Sequence, residues 1–197
     1  MLKEIESRRS IRKYETAPVP KELIQKIIEA GRLAPSGKNR QPWKFLVYEN
    51  AEKEELLAAM EVGLTREAKG EALLPDSRYG LPDAGNMLRI MREAPVLIIV
   101  INPDGKSPFE ALTNDERMRE IVDSLSIGAA IQNILLEAEH LGLGTLWIAN
   151  TCFAYPELIE CTQEAGQLIG AVAVGYAGEA PGSRPRKKTE DIAEYRG

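Results

Sequence analysis

Apolar residues recur at helical spacing near the start of the chain. After Pro20 they share one face of a helix: Leu23, Ile24, Ile27 and Ile28. Proline suits the first turn of a helix, and helical conformation is disfavoured just before Pro35. The pattern therefore predicts a helix from Pro20 to about Ala34. Shorter patterns predict three further helices: residues 2–9, 51–62 and 156–165.

Four short runs have the length and residue types of β-strands. Val96–Ile101 is apolar throughout and rich in β-branched residues, which predicts a strand buried on both faces. The other three runs are less uniform: Trp43–Glu49, Gly144–Ala149 and Leu168–Tyr176. Helices and strands follow one another without a regular βαβ repeat. We therefore expect a single α+β domain over residues 1–197, with helices covering a central sheet.

The segment Leu125–Leu141 predicts a long helix with almost no polar side. Its small residues Gly128, Ala129 and Ala130 would let another backbone approach closely. Such a helix belongs in a protein core or at a tight contact between subunits.

Residues 63–86 are rich in glycine, proline and charged residues. This composition predicts an irregular or mobile excursion. Two interpretations stay open, because the excursion is either plain surface or a flap that helps a functional site to select its substrate.

Composition removes several functional classes. The net charge of −5 argues weakly against a nucleic-acid partner, and the single histidine, His140, excludes any triad that needs a second one. Cys152 and Cys161 lack zinc-ligand spacing, so we expect no metal site and interpret both as core residues. His140 is interpreted as a partly exposed residue at a helix end, and Trp147 as a packed strand residue. The start at Met1 does not resemble a signal peptide and the longest apolar run is too short for a bilayer, which favours a cytoplasmic protein.

Basic residues are concentrated at the two ends of an otherwise acidic chain. One group lies near the start: Arg8, Arg9, Arg12 and Lys13. The other lies near the end: Arg184, Arg186, Lys187 and Lys188. Charge alone leaves two interpretations, a solvated tail or an anion site assembled from both ends.

Two segments have a composition unlike that of packing residues. In Ser7–Tyr14 the arginines are spaced so that their planar guanidinium groups can converge on one dianion. Ala34–Trp43, with the sequence APSGKNRQPW, offers amides, a hydroxyl and a glycine that suit the edge of a heterocycle.

The order of these segments resembles that of the nitroreductase family of flavoproteins. Four elements carry the resemblance: RRSIRKY at residues 8–14, APSGKNRQPW at 34–43, LGLGT at 141–145 and RPR at 184–186. The resemblance implies an α+β fold with a central mixed β-sheet flanked by helices. It also implies a homodimer formed through long helices, with FMN at the subunit interface.

The resemblance also assigns site residues. The phosphate, ribityl and pyrimidine end of FMN would be held by Arg8, Arg9, Ser10 and Arg12, with Arg184 and Arg186 at the phosphate. The other subunit would contribute Pro35, Ser36, Gly37 and Asn39. One face of the ring would be passed by Trp147, Ile148, Ala149 and Asn150. Many members have a glutamate–glycine pair where this chain has Ala149-Asn150, and there a backbone N–H reaches flavin N5.

The implied activity is a ping-pong cycle in which NAD(P)H reduces FMN and a small oxidised acceptor reoxidises it. No protein side chain is expected to act as a catalytic acid or base, because the flavin carries the chemistry. The expected acceptors are nitroaromatics, quinones and flavins. Three different activities stay open: reductive dehalogenation, oxygen-dependent flavin fragmentation and flavin binding without turnover.

Overall fold

The structure is a computed structural model that describes residues 1–197. A four-stranded sheet lies at its centre, in the order β1-β2-β4-β3. The strands are β1 (Lys44–Glu49), β2 (Val96–Asn102), β3 (Gly144–Ile148) and β4 (Gln167–Gly175). The register across the sheet aligns Val47, Ile98, Val172 and Trp147. Every residue of the central strand β2 is buried, as its apolar sequence predicts.

The predicted α+β class is confirmed, but the expected mixed sheet is not found among the strands. All three strand pairings are antiparallel. The recorded parallel pairing is the isolated bridge between Ser10 and Thr145 at the free edge of β3. The segment that runs parallel to β3 is therefore the N-terminal segment that carries the arginines, which forms a single bridge and not a full strand.

Helices cover both faces of the sheet. They are α1 (Lys3–Ser7), α2 (Lys21–Arg32), α3 (Asn50–Lys69), α4 (Leu81–Glu93), α5 (Asn114–His140) and α6 (Tyr155–Thr162). Residues of β2 alternate between the two layers, since successive side chains of a strand point to opposite faces. Leu97, Ile99 and Ile101 pack with the core of α3, α4 and α6. Val96, Ile98 and Val100 pack with the core of α2 and α5.

Helix α5 extends far beyond the predicted Leu125–Leu141. It begins at Asn114 after a capping box, in which Thr113 Oγ1 accepts from the Glu116 backbone N–H and Glu116 Oε2 accepts from the Thr113 N–H. The first turns of α5 are rich in charged residues, so a search for apolar periodicity does not detect this part of the helix. By length and composition α5 could span a membrane, but its buried residues pack with α2 and the sheet as a core helix.

The prediction of an irregular segment over residues 63–86 is wrong at both ends. Helix α3 continues to Lys69 and ends at Gly70, whose φ of +100° suits glycine. Only residues 70–80 lie outside α-helix, with a 3₁₀ turn over Pro75–Gly80. Some of the charged residues that suggested a solvent-exposed segment belong to a buried hydrogen-bond network. Glu67, 3% exposed, accepts from Arg66 and from the Leu73 backbone N–H, each over 2.8 Å.

Candidate functional site

The N-terminal arginine segment lies along the free edge of β3. The Ile11 backbone N–H donates to the Thr145 carbonyl over 2.9 Å, next to the bridge between Ser10 and Thr145. Gly144 permits this approach, because a Cβ there would lie 2.8 Å from the Ile11 side chain. The LGLGT segment therefore supplies the edge on which the arginines are mounted.

The C-terminal segment is brought to the same place by backbone pairing. The Glu15 N–H donates to the Tyr176 carbonyl over 3.0 Å, and the Gly178 N–H donates to the Lys13 carbonyl over 2.9 Å. Glu179 Oε1 accepts from the Arg12 backbone N–H over 2.5 Å. Beneath this pairing, burial raises the pKa of Tyr14 well above its ordinary value, so its hydroxyl stays protonated. Its O–H donates to the Ile11 carbonyl over 2.9 Å.

The two ends enclose a cavity of about 310 Å³. Five arginines line it: Arg8, Arg9, Arg12, Arg184 and Arg186. Their recorded side-chain hydrogen bonds all go to backbone carbonyls, as in the 2.7 Å bond from Arg9 to Glu6. Eight other arginines do form ion pairs: Arg32, Arg40, Arg66, Arg89, Arg92, Arg117, Arg119 and Arg196.

This cavity has the chemistry of an anion site. Five guanidinium groups that form no ion pair, against the one carboxylate of Glu6, give the cavity a net positive lining in an acidic protein. Planar forks that are free to donate suit the oxygens of a phosphate monoester. Of the two interpretations of the basic ends, the cavity favours the anion site, to which the exposed Arg184 and Arg186 contribute from the C-terminal end.

The second predicted segment forms a strained loop on α5. Three of its residues have left-handed backbone: Lys38 (φ 54°), Asn39 (φ 55°) and Gln41 (φ 51°). Such conformations cost non-glycine residues free energy and persist where the surroundings hold them.

The contacts that hold this loop come mainly from α5. Arg40 donates to Asp123 Oδ1 through Nε and Nη2, over 3.0 and 2.7 Å, and the Asp123 side chain is 3% exposed. The Gly37 N–H donates to Ser126 Oγ over 3.2 Å, and a Cβ on Gly37 would lie 2.4 Å from Val122. Within the loop, Ser36 Oγ accepts from the Gln41 N–H over 3.0 Å. Pro35, Ser36, Gly37 and Asn39 are thus carried on a fixed platform.

Within one chain this platform and the arginine cavity are far apart. Ser126 supports the loop, whereas Glu139 accepts from Ser7 and His140 contacts Glu4 at the far end of α5. Ser126 and Glu139 are 13 positions apart in the helix, which is about 20 Å at 1.5 Å per residue. The structure therefore brings the predicted N- and C-terminal site residues together and leaves the loop residues at the other end of the helix.

The end of β3 differs from expectation at Trp147, which is 43% exposed and therefore only partly packed. As the edge-strand residue paired with Val172, it lies on the face of the sheet that α5 covers, where a Cβ on Gly128 would be 3.8 Å from its ring, while Ile148 is buried in the opposite layer. Ala149 is exposed, and Asn150 begins a 3₁₀ turn that runs to Ala154. Asn150 Nδ2 donates to Asp83 Oδ2 over 2.6 Å.

The remaining candidate groups do not form a nucleophilic or acid–base centre. Burial raises the pKa of the Cys152 thiol and of the Cys161 thiol, so neither is a thiolate near neutral pH. Both are half-buried, which agrees with packing more than with reactivity. His140 is exposed, as predicted, and its hydrogen bond lowers the pKa of Glu4.

Sequence reasoning missed four residues that hold the site together: Asp83, Asp123, Ser126 and Glu179. Each acts through a contact between distant parts of the chain, over separations of 67, 83, 89 and 167 residues. Of these four, Asp123 could have been suspected from the sequence, because it is a lone acid close to the apolar part of a predicted core helix.

Comparisons with known proteins agree with this architecture. The sequence model of the Nitroreductase family matches residues 5–176. A protein from Methanothermobacter thermautotrophicus, described as an NADH dehydrogenase/NAD(P)H nitroreductase, is 30% identical over 192 residues, covering 93% of this chain and 81% of that protein. A protein from Desulfovibrio desulfuricans, described as a nitroreductase and solved in complex with FMN, is 30% identical. It has a TM-score of 0.71 over 98% of this chain and 95% of its own.

A BluB-like flavoprotein from Clostridium difficile is 25% identical and has a TM-score of 0.78 over 98% of this chain and 97% of its own. The family match, the similar fold and the paired termini all agree. The chain therefore belongs to the nitroreductase family.

Proposed function

We propose that the arginine cavity holds the phosphate of FMN in an FMN-dependent NAD(P)H oxidoreductase. The observation that carries this proposal is the set of five arginines without carboxylate partners in one cavity. A phosphate monoester matches both the charge and the forked geometry of these donors. The related protein from Desulfovibrio desulfuricans was solved with FMN, which supports the same choice of cofactor.

The roles of the cofactor and of the protein follow from the absence of an acid–base centre at the site. When bound, FMN would supply the redox chemistry, hydride acceptance at N5 and two-electron transfer to the acceptor. The protein binds and orients: Arg8, Arg9, Ser10 and Arg12 hold the phosphate end together with Arg184 and Arg186. In this proposal the edge strand at Trp147 and Ile148 would border the ring, and a backbone N–H at Ala149 or Asn150 would face N5.

A second copy of the chain completes the site. The loop with Pro35, Ser36, Gly37 and Asn39 lies about 20 Å from the cavity along α5. Two chains that pair their α5 helices in opposite directions around a two-fold axis would bring the loop of each to the cavity of the other. The exposed apolar residues along α5 provide the contact: Met118, Ile121 and Leu125, which are 61%, 45% and 71% exposed.

The acceptors that we propose are those usual in the family, and the open edge of the site would leave room for them. Nitroaromatics, quinones and flavins would bind in turn with NAD(P)H at one ring face, which gives a ping-pong cycle. A relative from Vibrio harveyi, 27% identical over 90% of this chain, is named NADPH-flavin oxidoreductase. We further propose that the protein works in the cytoplasm without a membrane or nucleic-acid partner.

The test begins with the cofactor. Flavin released from purified protein by heat should run as FMN in chromatography, and FAD or no flavin after reconstitution would contradict the proposal. An anaerobic acceptor screen with NADH and NADPH then identifies the reaction. Loss of NAD(P)H with a family acceptor supports an oxidoreductase, whereas bound flavin without turnover would identify a binding protein. Halide release would identify a reductive dehalogenase, and oxygen-dependent loss of the flavin itself would identify a flavin-fragmenting enzyme.

A further inference from the structure

The turn that follows β3 is fastened by a carboxylate from a distant element. Asn150 donates through Nδ2 to Asp83 Oδ2 over 2.6 Å. Asp83 lies in the first turn of α4, just after the 3₁₀ turn Pro75–Gly80. The bond therefore joins the first turn of α4 to the turn that follows the edge strand β3.

Three further contacts hold the turn after β3 and its neighbours in place. Arg66 donates through Nη2 to the Phe153 carbonyl over 3.1 Å, and its Nε donates to Glu157 over 2.7 Å. A Cβ on Gly80 would lie 3.2 Å from the Phe153 ring, so the start of α4 packs directly on the turn. The Asp83 carboxylate consequently has a defined position relative to Asn150.

An acidic residue at the start of a helix is stabilised by the helix dipole, and this effect alone accounts for an aspartate in the first turn of α4. It does not account for the direct bond to Asn150. Asp76, an exposed acid in the 3₁₀ turn just before α4, has no recorded side-chain bond and provides the comparison.

We propose that Asp83 is a positioning residue that sets the redox potential of the bound flavin through Asn150. The inference rests on the proposed function, in which the backbone at Ala149 and Asn150 faces N5. The carboxylate then lies within one side-chain length of that backbone. A negative charge at this place opposes the gain of negative charge on reduction, and therefore lowers the midpoint potential.

The experiment measures the midpoint potential of FMN in the dimeric holoprotein by equilibration with a reference dye. Asp83→Asn removes the charge while retaining a group that can bond to Asn150. It is expected to strengthen binding of reduced relative to oxidised FMN by roughly three- to tenfold, and tenfold corresponds to about 30 mV for a two-electron couple. Asp76→Asn, the matched control, should leave the potential unchanged.

A merely structural role is distinguished by a double-mutant cycle. In an Asn150→Ala background, Asp83→Asn should shift the potential less, because the carboxylate is no longer held near the turn. Thermal unfolding of the same variants reports any loss of fold separately. Bound FMN with an equal potential in wild type and Asp83→Asn would overturn this inference alone. Wild-type protein that binds no FMN would overturn the proposed function as well.

Discussion

At the scale of single residues, the loop after α2 shows how local strain and site geometry are linked. Lys38 is exposed and has φ 54°, a conformation that glycine adopts without steric cost. The loop retains it because Arg40 and Gly37 are bonded to α5. Strain of this kind is common where backbone must present groups to a ligand.

Replacing Lys38 by glycine should therefore be neutral or stabilise the protein by up to about 1 kcal/mol, because relief of the left-handed backbone offsets the greater freedom of the unfolded chain. Lys26→Gly is the control, since Lys26 is exposed within α2 and should cost about 1 kcal/mol. Urea unfolding measures both. Equal losses of stability in the two variants would show that the loop is not strained.

At the scale of elements, the start of α5 depends on a charged cap. Lys106 and the capping box with Thr113 lower the pKa of Glu116 from its ordinary 4.5 to about 2. A carboxyl with a lowered pKa in the folded state adds stability above its unfolded pKa, and this contribution is lost as pH falls toward the folded value. The affected window is therefore between pH 4.5 and 2.

Glu116→Gln should flatten the fall in stability across that window, because glutamine does not titrate. Stability as a function of pH in wild type and variant, measured by urea unfolding, checks the slope. Asp115→Asn is the neighbouring control, as Asp115 is exposed without a recorded side-chain bond. If wild type and Glu116→Gln lose stability in parallel from pH 4.5 to 2, the cap does not contribute as described.

The excursion between α3 and α4 is either a flap that helps to select the acceptor or plain surface, and its role as a flap stays a prediction. Its exposed Tyr79, and the close approach of Gly80 to Phe153 in the turn after β3, agree with a flap beside the acceptor. Replacing residues 75–79 by two glycines should change the relative rates for nitroaromatic and quinone acceptors while FMN stays bound. An unaltered acceptor profile would identify the excursion as plain surface.

The sequence patterns predicted the helices and strands well, but they predicted poorly which individual side chains are buried and which are exposed. The apolar run Val96–Ile101 and the helical face after Pro20 needed only local periodicity, and both were confirmed. The burial of Glu67 depends on Arg66 and Leu73, and the exposure of Trp147 depends on β3 lying at the edge of the sheet. Such outcomes are set by tertiary neighbours, which a single sequence does not display.

At the scale of the whole molecule, the proposal requires two chains for each flavin site. Leu125→Glu places a charge on the exposed apolar side of α5 and should produce monomers, because burying an unpaired carboxylate is costly. FMN affinity should fall with it, since the loop of the second chain is lost. Val62→Glu, at a residue 61% exposed on α3, is the matched control. Sedimentation that finds an FMN-loaded monomer of the wild type, or an FMN-loaded Leu125→Glu dimer, would contradict this interface.

The central claim is that arginines from both ends of the chain share one phosphate. Fluorescence titration of apoprotein with FMN tests it most directly. Arg12→Ala or Arg186→Ala should each weaken binding by roughly ten- to a hundredfold, because a charge-assisted hydrogen bond is worth about 1.5–3 kcal/mol. Lysine at either position should lose part of this, since it keeps the charge without the planar fork.

In the same titration the double variant Arg12→Ala/Arg186→Ala should be non-additive, as expected for groups that share a ligand. Lys187→Ala is the control, because Lys187 is exposed and does not line the cavity. Its affinity for FMN should match that of wild type. Equal FMN affinity in wild type and Arg186→Ala would contradict the account, because the C-terminal arginines would then be only a basic tail.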